Sequence, residues 1–373
     1  MPPIQLMIKP ASGNCNMRCK YCFYRDITDK RENPSFGIMN RNTLCNIVKK
    51  VLQYAENECS FVFQGGEPTL VGIEFYEYLV ELVKEYNIHG LKVNYALQTN
   101  GYTVNDAWAR FFGENHFLVG LSLDGTKGNH DLYRINAQGE GTFKNVLYAA
   151  DLLKKYKVDF NILTVVTRQT ARNIAAIYRT YKRLGFKYQQ YIPCLDPLGE
   201  ERGRKDYSLT PMDYGKFLNE LFDLWYQDFI QGEYISIRYF DNILSILQGY
   251  PPESCSMRGR CSEQTVIEAD GSVYPCDFYV LEDYLIGNLK EDSFEEIDRS
   301  REEIGFIQSS MQMNEECLKC EWGGVCRGGC RRDREPVSGD HLLKNYYCLA
   351  YQAFFPHTLE RFLKIIPRAR SHR

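Results

Sequence analysis

No stretch of this sequence stays apolar for the roughly 20 residues that a membrane-spanning helix needs, so no membrane partner is expected. Charge of one sign is not in excess either. Lys plus Arg number 45 and Asp plus Glu 48, a balance that argues against a nucleic-acid binder held by phosphate contacts. The opening MPPIQLMIKPASGNC lacks the basic end and long apolar core of a signal peptide, and the expected location is the cytoplasm. Histidine is sparse, with none before His89. What the chain has in abundance is cysteine, 14 in 373 residues. Disulfides belong to oxidising compartments and nothing here directs export, so metal ligation or catalysis is the expected use.

The cysteines fall into two zones. Cys15, Cys19 and Cys22 lie near the N-terminus, Cys45, Cys59 and Cys194 stand alone, and eight more lie between Cys255 and Cys348. In the first zone, β-rich apolar runs at 5–8, 60–63, 92–97, 117–123, 158–166 and 188–192 alternate with segments of helical period at 44–54, 75–86, 143–156 and 173–184. Repeated strand-then-helix units imply a parallel sheet with helical crossovers. Six units are fewer than the eight of a closed barrel, so an α/β partial (β/α)6 TIM-like barrel is expected; a doubly wound sheet is the alternative. Helices follow at 214–230 and 242–247. The second zone is rich in cysteine and glycine and poor in apolar sequence, which suits a small domain held by metal clusters. Within it, 265–268 and 272–274 flank Ala269-Asp270-Gly271 as a hairpin, and a helix at 346–363 closes the chain. The expected domains are 1–234 and 235–373.

Cys15-x3-Cys19-x2-Cys22 follows the first strand, at the mouth where barrel active sites form. Thiolates are soft ligands for iron–sulfur clusters or zinc. Three cannot complete the ligation of a cubane, and the iron left open is where chemistry can occur. Zinc would need a fourth ligand nearby, and no histidine supplies it. This spacing, with Tyr21 before the last cysteine, resembles the signature of radical S-adenosylmethionine enzymes. In that family the cosubstrate chelates the open iron, and an electron releases a 5′-deoxyadenosyl radical. Gly65, Gly66 and Glu67 with Pro68, after the second strand, are similar to the family's turn beside the methionine amino group; glycines allow a close backbone approach. Taken alone they read equally as a strand-to-helix turn. The resemblance also implies cosubstrate contacts from Ser122, Arg134 and Leu195. An arginine fork suits a carboxylate, although a strand-end cap and a surface ion pair are the plain readings of Ser122 and Arg134.

The later set runs Cys255-x5-Cys261-x14-Cys276, then Cys317-x2-Cys320-x5-Cys326-x3-Cys330-x17-Cys348. It resembles the SPASM extension, with its small hairpin and helices, which carries auxiliary [4Fe-4S] clusters. Eight cysteines divide into two fully ligated cubanes. The family pairing gives Cys255, Cys261, Cys276 and Cys330 to one and Cys317, Cys320, Cys326 and Cys348 to the other, with two zinc sites as the competing reading. Cys45 and Cys59 fit core packing, and the role of Cys194 is open.

With the segments IKPASGNCNMRCKYCFY, FVFQGGEPTL and DGSVYPCDFYVL, nearly the whole chain resembles the anaerobic sulfatase-maturating enzymes. The resemblance implies three [4Fe-4S] clusters, S-adenosyl-L-methionine, a reduced donor such as flavodoxin or ferredoxin, and a sulfatase polypeptide whose cysteine or serine becomes Cα-formylglycine. Asp277, directly after Cys276, matches the family's base. Two rivals stand beside this reading. A maturase forming thioethers in a ribosomal peptide often carries an extra N-terminal recognition domain, whereas this chain starts almost at its first strand. A non-catalytic iron–sulfur carrier would not need an incomplete triad.

Overall fold

The computed structural model describes residues 4–335 and 342–369. Two compact units are each assembled from separate stretches of chain. One takes the described residues up to Leu123, His130–Asn161 and Glu263–Phe306; the other takes Asp124–Asn129, Ile162–Ser262 and the described residues from Ile307 onward.

In the first unit, β1 (Ile4–Ile8), β2 (Glu58–Phe63), β3 (Lys92–Thr99) and β4 (Phe117–Ser122) lie parallel in sequence order. Each strand adds to the same side of the one before, so the order never reverses as a doubly wound sheet requires. Fully buried β1 residues Leu6 and Ile8 and β2 residues Cys59, Phe61 and Phe63 repeat every second position, the signature of a strand face packed on a core. The crossover helix Arg41–Tyr54 buries Leu44, Ile47, Val48, Val51 and Leu52, a stripe at intervals of one to four that makes one helical face. Asn40 caps it, accepting from the Thr43 N–H at 2.9 Å. Beneath the sheet Phe63, Tyr76, Trp108 and Phe117 meet edge to face, with Tyr76 at 5.0 Å from Phe63 and 5.5 Å from Trp108; such pairs add to the energy of burial.

β5 (Phe160–Val166), which enters the second unit at Ile162, is parallel to β6 (Tyr188–Pro193), and β6 to β7 (Ser236–Ile237). Helix Pro211–Ile230 starts with proline in its first turn and Thr210 as its cap, and it packs on the final helix, Cys348–Ala369, through Phe222 and Phe362 at 4.6 Å. The fold class is α/β with parallel strands and helical crossovers, as expected. All six strands of the first zone are present, although the fourth ends at Ser122 and the fifth begins at Phe160. Helices Phe23–Asp29, Asp106–Glu114 and Lys127–Tyr133 were not anticipated; at seven to nine residues they are too short to display a clear period.

The hairpin of the cysteine-rich zone forms as expected, from β8 (Thr265–Ile267) and β9 (Ser272–Tyr274). Its location is the surprise. β8 pairs in parallel with the outer edge of β1, Leu6 with Thr265 and Ile8 with Ile267, and β10 (Gly287–Asn288) completes that side. The edge of the first strand is thereby covered, as unpaired edges generally are. A buried ion pair, Arg31 to Glu268 at 2.8 Å, further fastens the hairpin to the segment after the cysteine triad.

Candidate active site

The C-terminal ends of β1, β2 and β3 meet the loop that carries Cys15, Cys19 and Cys22. This loop is stitched to the following turn by backbone bonds: Gly66 N–H donates to Ser12 O at 2.9 Å and Glu67 N–H to Asn14 O at 2.8 Å. Its far side is held by Arg18 N–H to Ile135 O at 2.7 Å and Lys20 N–H to Tyr133 O at 3.0 Å. The three thiols are half-buried. Cys15 Sγ accepts from the Met17 N–H at 3.4 Å and from Asn100 Nδ2 at 3.7 Å. Burial pushes its thiol up to about 11; Glu67 and Cys22 push the same way, and the Met17 N–H and Arg134 oppose them.

The glycine turn is pressed closely against the cysteine loop. A Cβ on Gly66 would stand 2.0 Å from Asn14 O, so the close approach is made by the cysteine loop itself. Gly65 holds φ +103°, and a Cβ there would meet Lys9 Cγ at 2.8 Å. The Glu67 side chain is turned inward and fully engaged. Oε1 accepts from the Thr69 N–H at 3.1 Å and from the hydroxyls of Thr69 and Thr99 at 2.7 Å each, and Oε2 accepts from the Asn100 N–H at 2.8 Å. Burial raises its pKa, with those four donors opposing. Glu67 therefore ties the end of β2 to the end of β3.

Ser122 is buried at the end of β4. Arg134 is also buried, and its Nη1 donates to the Tyr21 hydroxyl at 3.0 Å; Tyr21 meets Tyr133 edge to face at 6.1 Å. The structure thus brings together the triad, the glycine turn, Tyr21, Ser122 and Arg134 in one unit. Leu195 lies in the second unit, half-buried, two residues after β6.

Asp277 follows the hairpin and is buried in the first unit. Its Oδ2 accepts from the Tyr24 hydroxyl at 2.7 Å and from Gln64 Nε2 at 2.9 Å. Lys9 Nζ lies 2.9 Å from Oδ1 and 4.4 Å from the centre of the Tyr24 ring. Burial, then the charge and hydrogen bond of Asp277, then Cys22 hold the Tyr24 hydroxyl well above its ordinary pKa, so it remains a donor. Sequence reasoning found Asp277 but missed Lys9, Tyr24 and Gln64. A signal existed for two of them: Lys9 and Gln64 each stand one residue beyond a buried parallel strand, the position from which barrel enzymes take functional side chains.

The second unit holds seven of the eight later cysteines, and Cys276 lies in the first. Their mutual electrostatics sort them. The Cys326 thiol feels Cys348, Cys317 and Cys320, whereas Cys330 feels Cys255 and Cys261. Among the described residues no three His, Cys, Asp or Glu side chains close round a single ion, as thiolates at about 2.3 Å from zinc would. Soft thiols grouped in this way suit an iron–sulfur cluster. Cys194 is buried, its carbonyl accepting from the Tyr347 hydroxyl at 3.0 Å. Cys59 is fully buried on β2.

The profile of the Radical SAM superfamily matches residues 10–181, and that of an iron-sulfur cluster-binding domain, SPASM, matches residues 255–321. A cysteine-type anaerobic sulfatase-maturating enzyme of Clostridium novyi is 50% identical over 97% of this chain and 96% of its own length. A serine-type counterpart from Bacteroides thetaiotaomicron is 30% identical over 95% and 89%. Among solved structures, native anSMEcpe with bound AdoMet and Cp18Cys peptide is 48% identical, superposes with a TM-score of 0.94 and is covered in full, as is 99% of this chain. On these matches the chain belongs to the anaerobic sulfatase-maturating enzymes of the radical SAM superfamily.

Proposed function

We propose that the protein oxidises a cysteine of a sulfatase polypeptide to Cα-formylglycine, with Asp277 as the base. The cofactors are three [4Fe-4S] clusters and S-adenosyl-L-methionine. Cys15, Cys19 and Cys22 would hold the cluster with the open iron, Tyr21, the Gly65–Glu67 turn, Ser122 and Arg134 would contact the cosubstrate, and the eight later cysteines would ligate two closed clusters. When bound, these groups supply the electron that cleaves the cosubstrate, the adenosyl radical that takes a hydrogen atom from the substrate Cβ, and an acceptor for the electron that then leaves.

The protein's own part is the proton. Asp277 supports the reading because its carboxylate is buried in the unit that carries the triad, with two donors on Oδ2 and the Lys9 charge beside Oδ1. Oδ1 carries the Lys9 ion pair at 2.9 Å, and a carboxylate oxygen has two lone pairs. Its second lone pair would take the substrate thiol proton, the task of a general base. Loss of the Cβ hydrogen atom, that proton and one electron leaves a thioaldehyde, which water converts to the aldehyde with release of hydrogen sulfide.

Cysteine is favoured over serine because identity is 50% to a cysteine-type relative against 30% to a serine-type one. Residues 1–234 carry the radical chemistry and 235–373 the auxiliary clusters, in a cytoplasmic protein fed by a flavodoxin- or ferredoxin-type donor. No described helix is long and apolar enough to cross a membrane. Mass spectrometry of cysteine- and serine-containing sulfatase peptides, incubated side by side with reduced enzyme, tests the assignment. The cysteine peptide should be converted to aldehyde at least tenfold faster; 5′-deoxyadenosine without aldehyde from either peptide would refute it.

A further inference from the structure

Arg334 is 3% exposed in the second unit. Its terminal nitrogens bind backbone: Nη1 donates to Gln312 O at 2.8 Å, and Nη2 donates to Ser310 O at 2.7 Å and Gly259 O at 3.5 Å. Gly259 lies just before Cys261, Gln312 just before Cys317, and Arg334 itself just after Cys330. One side chain thus joins three ligand-bearing segments. Its Nε, however, is buried without an acceptor among the described residues. A buried cationic N–H left in that condition is costly, so the site is shaped for an acceptor that the described residues do not provide.

The charge has an address as well. The guanidinium interacts with the thiols of Cys330, Cys261 and Cys317, in that order of strength, and these belong to both cysteine sets. Neighbouring Arg331 is committed elsewhere, with its Nε on Glu335 at 2.9 Å and its Nη1 on Ser309 Oγ at 2.8 Å.

We propose that Arg334 tunes the auxiliary clusters: its Nε–H donates to a sulfur of the cluster that Cys261 and Cys330 help to hold, and its charge stabilises the reduced state of both. The inference rests on reading the eight cysteines as ligands of two cubanes. A cubane with four thiolates is anionic and becomes more so on reduction, so a buried cation and an N–H···S bond raise its potential. An electron leaving the substrate then finds an acceptor of adequate affinity.

The test uses the full chain with Cys15, Cys19 and Cys22 replaced by alanine, reconstituted anaerobically to about eight irons per chain. Redox titration followed by electron paramagnetic resonance should show Arg334→Gln with midpoints more negative than the parent. Arg334→Lys, which keeps the charge but loses the Nε–H, should fall between the two. Unchanged midpoints in a fully loaded Arg334→Gln protein overturn the proposal; a parent that binds far fewer than eight irons overturns the ligand reading instead. Where a variant fails to load, the parent labelled with 15Nε-arginine decides: pulsed resonance on the reduced clusters should detect a coupled arginine nitrogen, and no coupling overturns the proposal.

Discussion

Lys9 Nζ lies 2.9 Å from Asp277 Oδ1, and the two side chains are 1% and 10% exposed. The residue after the first strand is thereby paired with the residue after the hairpin, and the pairing of β8 on β1 brings them together. Removing one partner of a buried pair leaves the other charge uncompensated, at a cost of about 3–5 kcal/mol. Lys9→Met should lower the melting temperature and cut formylglycine yield at least tenfold. Lys9→Arg should restore much of the yield, which a merely structural cation would also do for stability but not for the ratio of aldehyde to 5′-deoxyadenosine. That ratio, measured by chromatography and mass spectrometry, checks the claim.

Gly66 has no room for a side chain, because a Cβ would meet the carbonyl of Asn14, next to Cys15, at 2.0 Å. Gly66→Ala must displace the cysteine loop and should cost about four irons per chain, the content of one cubane. Iron analysis and the visible absorption of the reconstituted protein read this directly. Full iron content would show that the loop tolerates the shift.

Cys59 offers a pH test of the core. Burial pushes its thiol up to about 12 from an ordinary 9.0. The folded pKa is raised, so its contribution to stability is whole below pH 9 and is lost as pH rises from 9 towards 12, where the unfolded chain ionises first. Between pH 8.5 and 10 this loss amounts to about 1 kcal/mol. Cys59→Val should show that much less destabilisation over the same interval in denaturant titrations, and an identical pH dependence would contradict the assignment.

Much of this was legible because local pattern and local structure agree. The alternation that buries Cys59, Phe61 and Phe63, the stripe from Leu44 to Leu52, and the turn residues between β8 and β9 are short-range signals. The triad and the eight later cysteines were legible from spacing. What escaped was non-local. β8 is three residues long, and nothing in Thr265–Ile267 announces that it will add to β1. Lys9, Tyr24 and Gln64 converge on Asp277 only because that pairing forms. Gly66 and Glu67 stand out in the sequence, but which atoms they touch depends on where the loop of Asn14 runs, and no periodicity encodes that.

On the proposed function, radical formation and proton removal are separate tasks, the first resting on Cys15, Cys19 and Cys22 and the second on Asp277. The most direct measurement is Asp277→Asn, reconstituted with iron and sulfide, reduced, and given a cysteine-containing sulfatase peptide, with 5′-deoxyadenosine and formylglycine quantified in the same reaction. The variant should still cleave S-adenosylmethionine while its aldehyde yield falls at least a hundredfold, a loss on the order of a well-placed general base. Near-normal aldehyde from Asp277→Asn would contradict the account.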